Sequence, residues 1–405
     1  MQTHLHREYA QTVMGQEAES VLRSCVHCGF CTATCPTYQL LGDELDGPRG
    51  RIYLIKQVLE GQAATRKTLS HLDRCLTCRS CETTCPSGVR YGRLLDIGRH
   101  IVEGQVKRPL AERIERKLLL TFLPRPGLFK PLLALGHTFK SVLPPGLKTK
   151  LPVKQQAGVT PKNDHPRKML IIDGCVQSAV TPATNAAAAR VLDKLGIQLI
   201  REKNAACCGA VAHHFSAEEM SLQQMRSNID AWWPAVEQGV EAIISTASGC
   251  GVVIKDYGRL LAHDGAYAEK ALRISKLVAD ISEVLAREAL AELGTVARGR
   301  KVAFHSPCTL QHGQKIVGSV EKVLTSVGYR LTSVKDSHLC CGSAGTYSLL
   351  QPELSQQLLD AKLDSLQAQS PDLIATANIG CQMHMASKAG VPVKHWIELL
   401  DPQSM

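Results

Sequence analysis

Large aromatic side chains and long apolar runs are scarce in this sequence of 405 residues. Aromatic residues account for 4% of the chain, and no segment approaches the roughly 18 consecutive apolar residues that a membrane-spanning helix requires. The N-terminal stretch MQTHLHREYAQTVMGQEAES also has no apolar run that would serve as a signal peptide. With 44% hydrophobic and 21% charged residues, the composition is typical of a globular protein of two or three domains. We therefore expect a cytoplasmic protein.

Two glycine-rich motifs that bind nucleotides are missing as well. The sequence contains no GxGxxG motif, which would place a dinucleotide pyrophosphate at a helix N-terminus, and it contains no Walker motif. We therefore expect neither FAD nor NAD on this chain. Any cofactor that handles two electrons at once would have to lie on a partner subunit.

Cysteine, in contrast, is abundant, with 16 residues. In a reducing compartment such a number indicates metal ligands or redox groups in preference to structural disulfides. Eight of the cysteines form two copies of the pattern C-x2-C-x2-C-x3-C-P, which are CVHCGFCTATCP from Cys25 and CLTCRSCETTCP from Cys75.

This spacing is typical of proteins that hold two [4Fe–4S] clusters, in which the cysteine before the proline ligates the other cluster. We predict a first cluster and a second cluster on these ligands: Cys25, Cys28, Cys31 and Cys85; Cys75, Cys78, Cys81 and Cys35. Zinc is the alternative, but structural zinc sites usually join two separated cysteine pairs and do not concentrate four cysteines in eleven residues. Two adjacent clusters would allow electrons to pass between them.

The other eight cysteines reveal an internal repeat. The displacement between copies is 133 residues for the first three cysteines and 131 for the last. The two sets are Cys175, Cys207, Cys208 and Cys250; Cys308, Cys340, Cys341 and Cys381.

Each copy alternates short apolar strands with helical patterns. KMLIIDGC and KVAFHSPC read as strands that end at the first cysteine, and IQLI and YRLTSV read as second strands. EAIISTASGC and PDLIATANIGC read as third strands, and NAAAARVLDKLG and QKIVGSVEKVLTSVG as helices. This alternation predicts a parallel sheet flanked by helices in each copy, with the cysteines gathered at the carboxyl edge.

The pattern of one cysteine, a CCG triplet and a later cysteine resembles the cysteine-rich CCG domain of heterodisulfide reductases and respiratory dehydrogenase subunits. That domain ends in C-x-x-C, whereas here the closing positions are Val253 and His384. His384 is a candidate nitrogen ligand. We expect the repeat cysteines to form a further iron–sulfur cluster or redox site, and the alternative is that they are buried as small apolar residues.

Four regions follow from these patterns. We predict a helical, ferredoxin-like [4Fe–4S] domain at 1–105, a proline-interrupted basic connector at 106–166, and CCG repeats at 167–295 and 296–405. The fold class is therefore a mixture of α+β and α/β, with a helical domain followed by two tandem α/β repeats that contain parallel sheets.

The connector carries most of the net charge of +10. Between Lys107 and Lys150 the sequence has ten basic residues and two acidic ones, and GLFKPLLALGHTFKSVL mixes apolar residues with lysines. A solvated connector is one interpretation. The other is an interfacial contact with the anionic inner face of the cytoplasmic membrane, which would make the protein peripheral.

From end to end, the chain resembles the iron–sulfur subunits of bacterial glycolate oxidases, also called glycolate dehydrogenases. The stretches that carry the resemblance are CVHCGFCTATCPTYQLLGDELDGPRGRIYLIKQVLEG, TCPSGVRY, NIDAWWPA, TASGCG, CTLQH and DSHLCCGSAGTY. The resemblance implies an oxidoreductase complex in which FAD-binding partner subunits oxidise glycolate to glyoxylate. This chain would relay the electrons toward a membrane acceptor, quinone or another respiratory acceptor, and would have no catalytic residue of its own.

Three other functions are alternatives to this interpretation of the sequence. The iron–sulfur subunit of anaerobic glycerol-3-phosphate dehydrogenase shares the domain order and would differ in its flavin partner. A heterodisulfide reductase-like catalyst would be favoured by intact C-x-x-C endings, which are missing here. A nucleic-acid binder or cluster-based sensor is suggested only by the basic connector, and many prolines with few aromatics argue against it, so we expect no nucleic-acid partner.

Overall fold

The computed structural model describes residues 1–141, 151–294, 297, 299–401 and 403. Its first hundred residues are helical, and their apolar faces pack into one core that also contains Cys25, Cys75 and Cys81. The α-helices and 3-10 turns of this region are Arg7–Ala10, Val13–Ser24, Phe30–Thr32, Pro36–Leu41, Glu44–Asp46, Pro48–Leu59, Arg66–Asp73, Ser80–Thr84 and Tyr91–Gln105.

Local sequence explains several of these helix ends. Proline occupies the first helical position at Pro36 and at Pro48, where its missing N–H costs nothing. The helix Arg66–Asp73 begins with a capping box in which the Thr65 and Thr68 side chains each accept a backbone N–H. Each helix therefore begins at a fixed point, which in turn fixes the loops that carry the cysteines.

Two helices lead from this region toward the repeats. They are Leu110–Phe122 and Pro126–Thr138, joined at a bend of 106°. Among the described residues no single helix meets the length and composition expected of a membrane span, and only these two taken together do so. Of the basic residues noted in the connector, Lys148 and Lys150 lie outside the described residues.

The rest of the chain forms two four-stranded sheets, and every strand pair in them is parallel. The first sheet has the order β2-β1-β3-β4 and the second the order β6-β5-β7-β8. The strands are β1 Arg167–Ile171, β2 Ile197–Ile200, β3 Ile243–Ser245 and β4 Val278–Asp280; β5 Lys301–His305, β6 Arg330–Leu331, β7 Leu373–Thr376 and β8 Val393–His395.

Helices and short turns connect the strands. In the first repeat they are Gln177–Val180, Pro182–Lys194, Ala210–His214, Glu218–Glu237, Ser248–Lys255, Tyr257–Leu260, Ala268–Leu277, Ile281–Leu285 and Leu290–Leu293. In the second they are Thr309–Gly313, Ser319–Ser326, Tyr347–Leu350, Pro352–Gln367, Ile379–Ala386 and Trp396–Leu400. The parallel sheets and the helical first domain confirm the predicted fold class.

The strand order places the repeat cysteines at a defined point of each sheet. In the first sheet the chain runs from β1 outward to β2 and then crosses to β3, so the order reverses between β1 and β3. Cys175 follows β1 and Cys250 follows β3. In open parallel sheets the crevice outside such a reversal is where ligands bind. Cys308 and Cys381 follow β5 and β7 in the same way.

The two repeats share an apolar core. Met169 and Ile171 of β1 and Val302 and Phe304 of β5 belong to the same cluster of buried side chains. The final turn, Trp396–Leu400, contributes to that cluster and packs against the helix Pro182–Lys194 of the first repeat. The two sheets are therefore parts of one packed body.

Polar contacts accompany this packing. Arg190 of the first repeat forms a buried ion pair with Asp401 at 2.7 Å, and Thr184 donates a hydrogen bond to the Glu398 carboxylate at 2.7 Å. Because a buried ion pair is costly to break by removing one partner, these contacts help to hold the turn Trp396–Leu400 against the first repeat.

Candidate metal centres

The first group of ferredoxin cysteines lies around a small cavity. Cys25, Cys28, Cys31 and Cys85 all line it. The helix Val13–Ser24 ends at Cys25, and positive φ angles at His27 (59°) and Gly29 (87°) turn the following loop back on itself. Burial, together with the thiol of Cys25, raises the pKa of Cys31 to about 11.

The second group repeats this backbone geometry. Thr77 (54°) and Arg79 (59°) have positive φ angles at the same distances after Cys75 that His27 and Gly29 have after Cys25. Left-handed backbone at a residue other than glycine is uncommon and is often held by surrounding structure at functional sites. Both loops therefore adopt one conformation, although only the first has glycine at the second of these positions.

Four buried or half-buried thiols come together in the second group. Burial and then the neighbouring Cys308 raise the pKa of Cys78 well above its usual value. The thiols that act on Cys81 include Cys78, Cys75 and Cys35, so the cysteine before Pro36 crosses from the first motif to the second group. Cys81 also lines the cavity of the first group, so the two groups adjoin, and the division of the eight cysteines into two sets of four stays a prediction.

A buried network of charges supports the second group. Arg51 is fully buried and pairs with Asp46 at 3.2 Å, while Arg74 reaches the other oxygen of the same carboxylate at 2.8 Å. The Tyr91 hydroxyl donates to the sulfur of Cys75 at 3.6 Å. This network fixes the loops and places a permanent positive charge near Cys75 and Cys35, which contribute to the raised pKa of Arg51.

The four cysteines of the first repeat converge. The Cys175 thiol donates to the sulfur of Cys207 at 3.3 Å, which raises the pKa of Cys175 and lowers that of Cys207. Hydrogen bonds to Cys207 and Cys250 raise the pKa of Cys208. The sheet edge therefore gathers residues that are 75 positions apart, as the strand pattern predicts.

The second repeat gathers its four cysteines in the same way. The Cys308 thiol lies 3.9 Å from the sulfur of Cys340, and Cys341 interacts with both Cys340 and Cys381. His384, the candidate nitrogen ligand, instead contacts the Ser355 hydroxyl through its Nε2 at 3.1 Å.

The sequence analysis missed His305, which lies beside the cysteines of the second repeat. A ring nitrogen of His305, the last residue of β5, and the sulfurs of Cys341 and Cys381 all lie within 4.8 Å of one another. The signal was present in KVAFHSPC, since a histidine at the carboxyl end of a strand three residues before a cluster cysteine faces the same edge.

The repeats also differ on the long helix that packs behind the cysteines, which is Glu218–Glu237 in the first repeat and Pro352–Gln367 in the second. Ser221 and Ser355 occupy equivalent places, because each donates its hydroxyl to the carbonyl of the glycine that ends the CCG triplet. Seven residues further on, the first repeat has Asn228 and the second has Lys362.

These two side chains are both buried but differ in charge. Asn228 donates to the Cys207 carbonyl at 2.9 Å and accepts from the Ala206 N–H. Lys362 is 3% exposed and donates to the Asp336 carbonyl at 2.8 Å. Burial lowers the pKa of Lys362, and the nearby thiol of Cys341 acts in the opposite direction.

The helical domain contacts both repeats beside these groups. Cys78 packs in one apolar cluster with Cys308 and Cys340, so the second ferredoxin group adjoins the cysteines of the second repeat. Thr83 bonds the His312 ring at 3.0 Å on the same side. Toward the first repeat, the contacts are Arg79 with Asp256 at 3.4 Å and Asp96 with His213 at 3.1 Å.

Comparisons with known proteins identify these regions. Residues 21–89 match the model of the 4Fe-4S dicluster domain, and residues 169–255 and 302–386 each match that of the cysteine-rich domain. The chain is 57% identical over 402 residues to the glycolate oxidase iron–sulfur subunit of Escherichia coli (strain K12), covering 99% of this chain and 98% of the relative. The chain belongs to the family of glycolate oxidase iron–sulfur subunits.

A second member of this family and one solved structure are also similar. The probable glycolate oxidase iron–sulfur subunit of Bacillus subtilis (strain 168) is 30% identical over 398 residues, covering 91% of this chain and 89% of the relative. A crystal structure of a hypothetical protein from Helicobacter pylori aligns with a TM-score of 0.52 at 12% identity, covering 97% of this chain and 72% of that one. The latter likeness concerns the fold alone.

The donor sets fit the iron–sulfur clusters that these domain families imply. Each ferredoxin group offers several free thiols close together, which suits soft thiolate ligation of iron. The chain therefore contains an iron–sulfur electron-transfer domain followed by two cysteine-rich repeats.

Proposed function

We propose that this chain is the electron-transfer iron–sulfur subunit of a glycolate oxidase, or glycolate dehydrogenase, complex. FAD-binding partner subunits would oxidise glycolate to glyoxylate, and this chain would pass the electrons to a membrane acceptor, which we propose is quinone. The observation that carries the proposal is the 57% identity to the Escherichia coli subunit, and the closeness of the ferredoxin thiols to one another supports it.

The ligand assignment follows from the same grouping. We assign one [4Fe–4S] cluster to Cys25, Cys28, Cys31 and Cys85, and a second to Cys75, Cys78, Cys81 and Cys35. Bound clusters of this type accept and release single electrons. The protein's own contribution is to fix the thiols on two loops of matched conformation and to bury the charged pair of Arg51 and Asp46 beside them.

We assign a third cluster to the second repeat, on Cys308, Cys340, Cys341 and Cys381. Two contacts support this choice over the first repeat. Cys308 and Cys340 pack directly against Cys78 of the second ferredoxin group, and the buried ammonium of Lys362 lies near enough to the repeat thiols to act on them. A positive charge offsets part of the charge of a thiolate-ligated cluster.

The test of the relay uses the assembled complex with its flavin partners. In Cys78→Ser a hard hydroxyl replaces a soft thiolate, so the second cluster is lost or altered. We expect glycolate to reduce the flavin at the normal rate while quinone reduction falls to background. Ser227→Ala, at an exposed position on the helix Glu218–Glu237, is the control and should leave both rates unchanged. Normal quinone reduction by Cys78→Ser would show that this cysteine is not on the relay.

We further propose that the two connector helices lie on an anionic membrane surface, which makes the protein peripheral on the cytoplasmic side. Leu110, Ile114 and Leu118 recur every four residues along the first helix and are 68%, 51% and 52% exposed. The second helix exposes Leu128, Leu132, Leu135 and Phe139 at helical spacing. A stripe of exposed leucines among basic residues is the pattern of an interfacial helix.

Liposome sedimentation tests this contact. Lys130 and Lys140 are exposed beside the leucines of the second helix, and each basic residue near an anionic surface contributes about 1 kcal/mol. We expect binding to anionic vesicles at low salt, weaker binding at high salt, and loss in a variant with Leu128, Leu132 and Leu135 changed to Gln. A variant with Leu272→Gln, an exposed leucine elsewhere, is the control. Equal binding of all three proteins would contradict the proposal.

A further inference from the structure

The side chain of His305 faces the cysteines of the second repeat. It is 2% exposed, and one of its ring nitrogens lies within 4.8 Å of the sulfurs of both Cys341 and Cys381. These two cysteines come from different segments, the CCG triplet and the first turn of the helix Ile379–Ala386 after β7. The histidine therefore completes a set of donor atoms that three separate segments bring together.

This imidazole lacks the partner that a buried polar group normally has. Its Nε2 has no hydrogen-bond partner among the described residues. Leaving a buried polar atom unpaired destabilises the folded state. Coordination of a metal would satisfy a buried nitrogen lone pair that the protein leaves unpaired.

The first repeat shows that packing does not require a histidine here. The residue three positions before Cys175 is Ile172, which is 5% exposed, and it corresponds to His305 by the same displacement of 133 residues that relates Cys175 to Cys308. An aliphatic side chain fills the place in one copy. The shared fold therefore does not explain why the other copy has an imidazole at this position.

His384, the histidine that the sequence offered as a nitrogen ligand, is already engaged. His384 Nε2 bonds the Ser355 hydroxyl, and that hydroxyl donates to the Gly342 carbonyl at 2.8 Å. The hydroxyl proton is thus used, and the serine oxygen accepts from the histidine. Although His384 stands at the closing position of the C-x-x-C ending, its ring is held by the helix Pro352–Gln367.

We propose that His305 supplies a nitrogen ligand to the iron–sulfur centre of the second repeat, taking the role of the closing cysteine that this repeat lacks. The inference rests on the proposed third cluster. Imidazole binds iron well, and histidine in place of cysteine raises the potential of an iron–sulfur centre. The second repeat would then have mixed cysteine and histidine ligation, unlike the two ferredoxin groups.

The experiment uses the full-length protein, purified without oxygen and labelled with ¹⁵N only at histidine. Pulsed EPR of the reduced protein should show a nitrogen hyperfine coupling that changes with the label. His305→Ile, which copies the first repeat, should abolish this coupling. His384→Gln is the matched histidine control and should retain it. His305→Cys should keep the iron of the wild type while losing the coupling.

Each result decides the proposal. A histidine coupling that survives in both His305 variants would overturn it, as would about twelve irons in the wild type with no histidine coupling at all. About eight irons in the wild type would mean that the second repeat holds no cluster. That outcome would overturn the proposal while leaving the two-cluster relay intact, because the Cys78→Ser test addresses the relay separately.

Discussion

The two cysteine-rich repeats have one fold and one arrangement of four cysteines, yet they differ in what surrounds those cysteines. The first repeat places Ile172 and Asn228 beside its thiols, and the second places His305 and Lys362 at the corresponding positions. All four side chains are buried. A nitrogen donor and a cation are expensive to bury, so their presence in one copy alone indicates a charged centre there.

The comparison also concerns position. Cys308 and Cys340 of the second repeat pack against Cys78, whereas Cys175, Cys207 and Cys208 of the first repeat belong to a separate apolar cluster. The duplicated fold therefore supplies two similar crevices, and the packing of Cys78 against the cysteines of the second one distinguishes them. Two copies of one fold can therefore differ in the chemistry around their cysteines.

The largest expected effect that tests this comparison is a difference in iron content between variants of equivalent cysteines in the two repeats. Cys341→Ser should reduce the iron from about twelve to about eight per chain because the third cluster is lost. Cys208→Ser, at the equivalent and equally buried position, should retain about twelve. Iron analysis of anaerobically purified protein measures both. Equal losses in the two variants would mean that the repeats are functionally alike.

A smaller effect should follow from removal of the buried charge. Lys362→Gln keeps a donor for the Asp336 carbonyl but removes the ammonium, so the reduced cluster loses a stabilising charge. We expect the potential of the third cluster to fall by on the order of 100 mV for one charge at an effective dielectric of about 20. Redox titration monitored by EPR would measure the shift. The control is Lys388→Gln, an exposed lysine of the same repeat, and a similar shift there would refute the explanation.

The smallest effect concerns the junction of the repeats. His395 is fully buried and donates from Nε2 to the Thr246 carbonyl of the first repeat at 2.8 Å. Burial lowers the pKa of His395 to about 3, so between about pH 6.5 and 3 the unfolded chain binds more protons and stability falls as the pH falls. From pH 7 to 5.5 this histidine alone should lower the free energy of unfolding by about 1 kcal/mol.

Denaturant unfolding at the two pH values checks this. His395→Asn should be less stable at pH 7 but should lack this part of the pH dependence. His263→Asn, at an exposed position, should keep the wild-type slope. If His395→Asn and the wild type lose the same free energy on acidification, the buried imidazole is not the cause.

Much of the fold was predictable because proline, glycine and short apolar runs mark where helices and strands begin and end. Pro48 and Gly61 predict a helix, and the structure has Pro48–Leu59 with Gly61 at a φ of 99°. The apolar stretches before Cys175 and Cys308 became β1 and β5. These segments carry their signal locally, in helix ends and in short runs of buried residues.

Other elements carried too little local signal. The strands β4 and β8 have three residues each and are defined by pairing with β3 and β7, which sequence periodicity cannot show. The helix expected from QKIVGSVEKVLTSVG begins only at Ser319, because Gly318 has left-handed backbone with a φ of 78°. His305 was missed for a similar reason, since its neighbours Cys341 and Cys381 are distant in sequence.

The packing of the last turn against the first repeat has a consequence for synthesis. The helix Pro182–Lys194 is covered by Trp396–Leu400, and Arg190 meets Asp401 there. During translation this face stays uncovered until Trp396–Leu400 has left the ribosome, although the helical domain has been available since the first hundred residues were made. The ferredoxin loops are thus complete long before the first repeat is covered, so the helical domain can fold while the repeats are still being made.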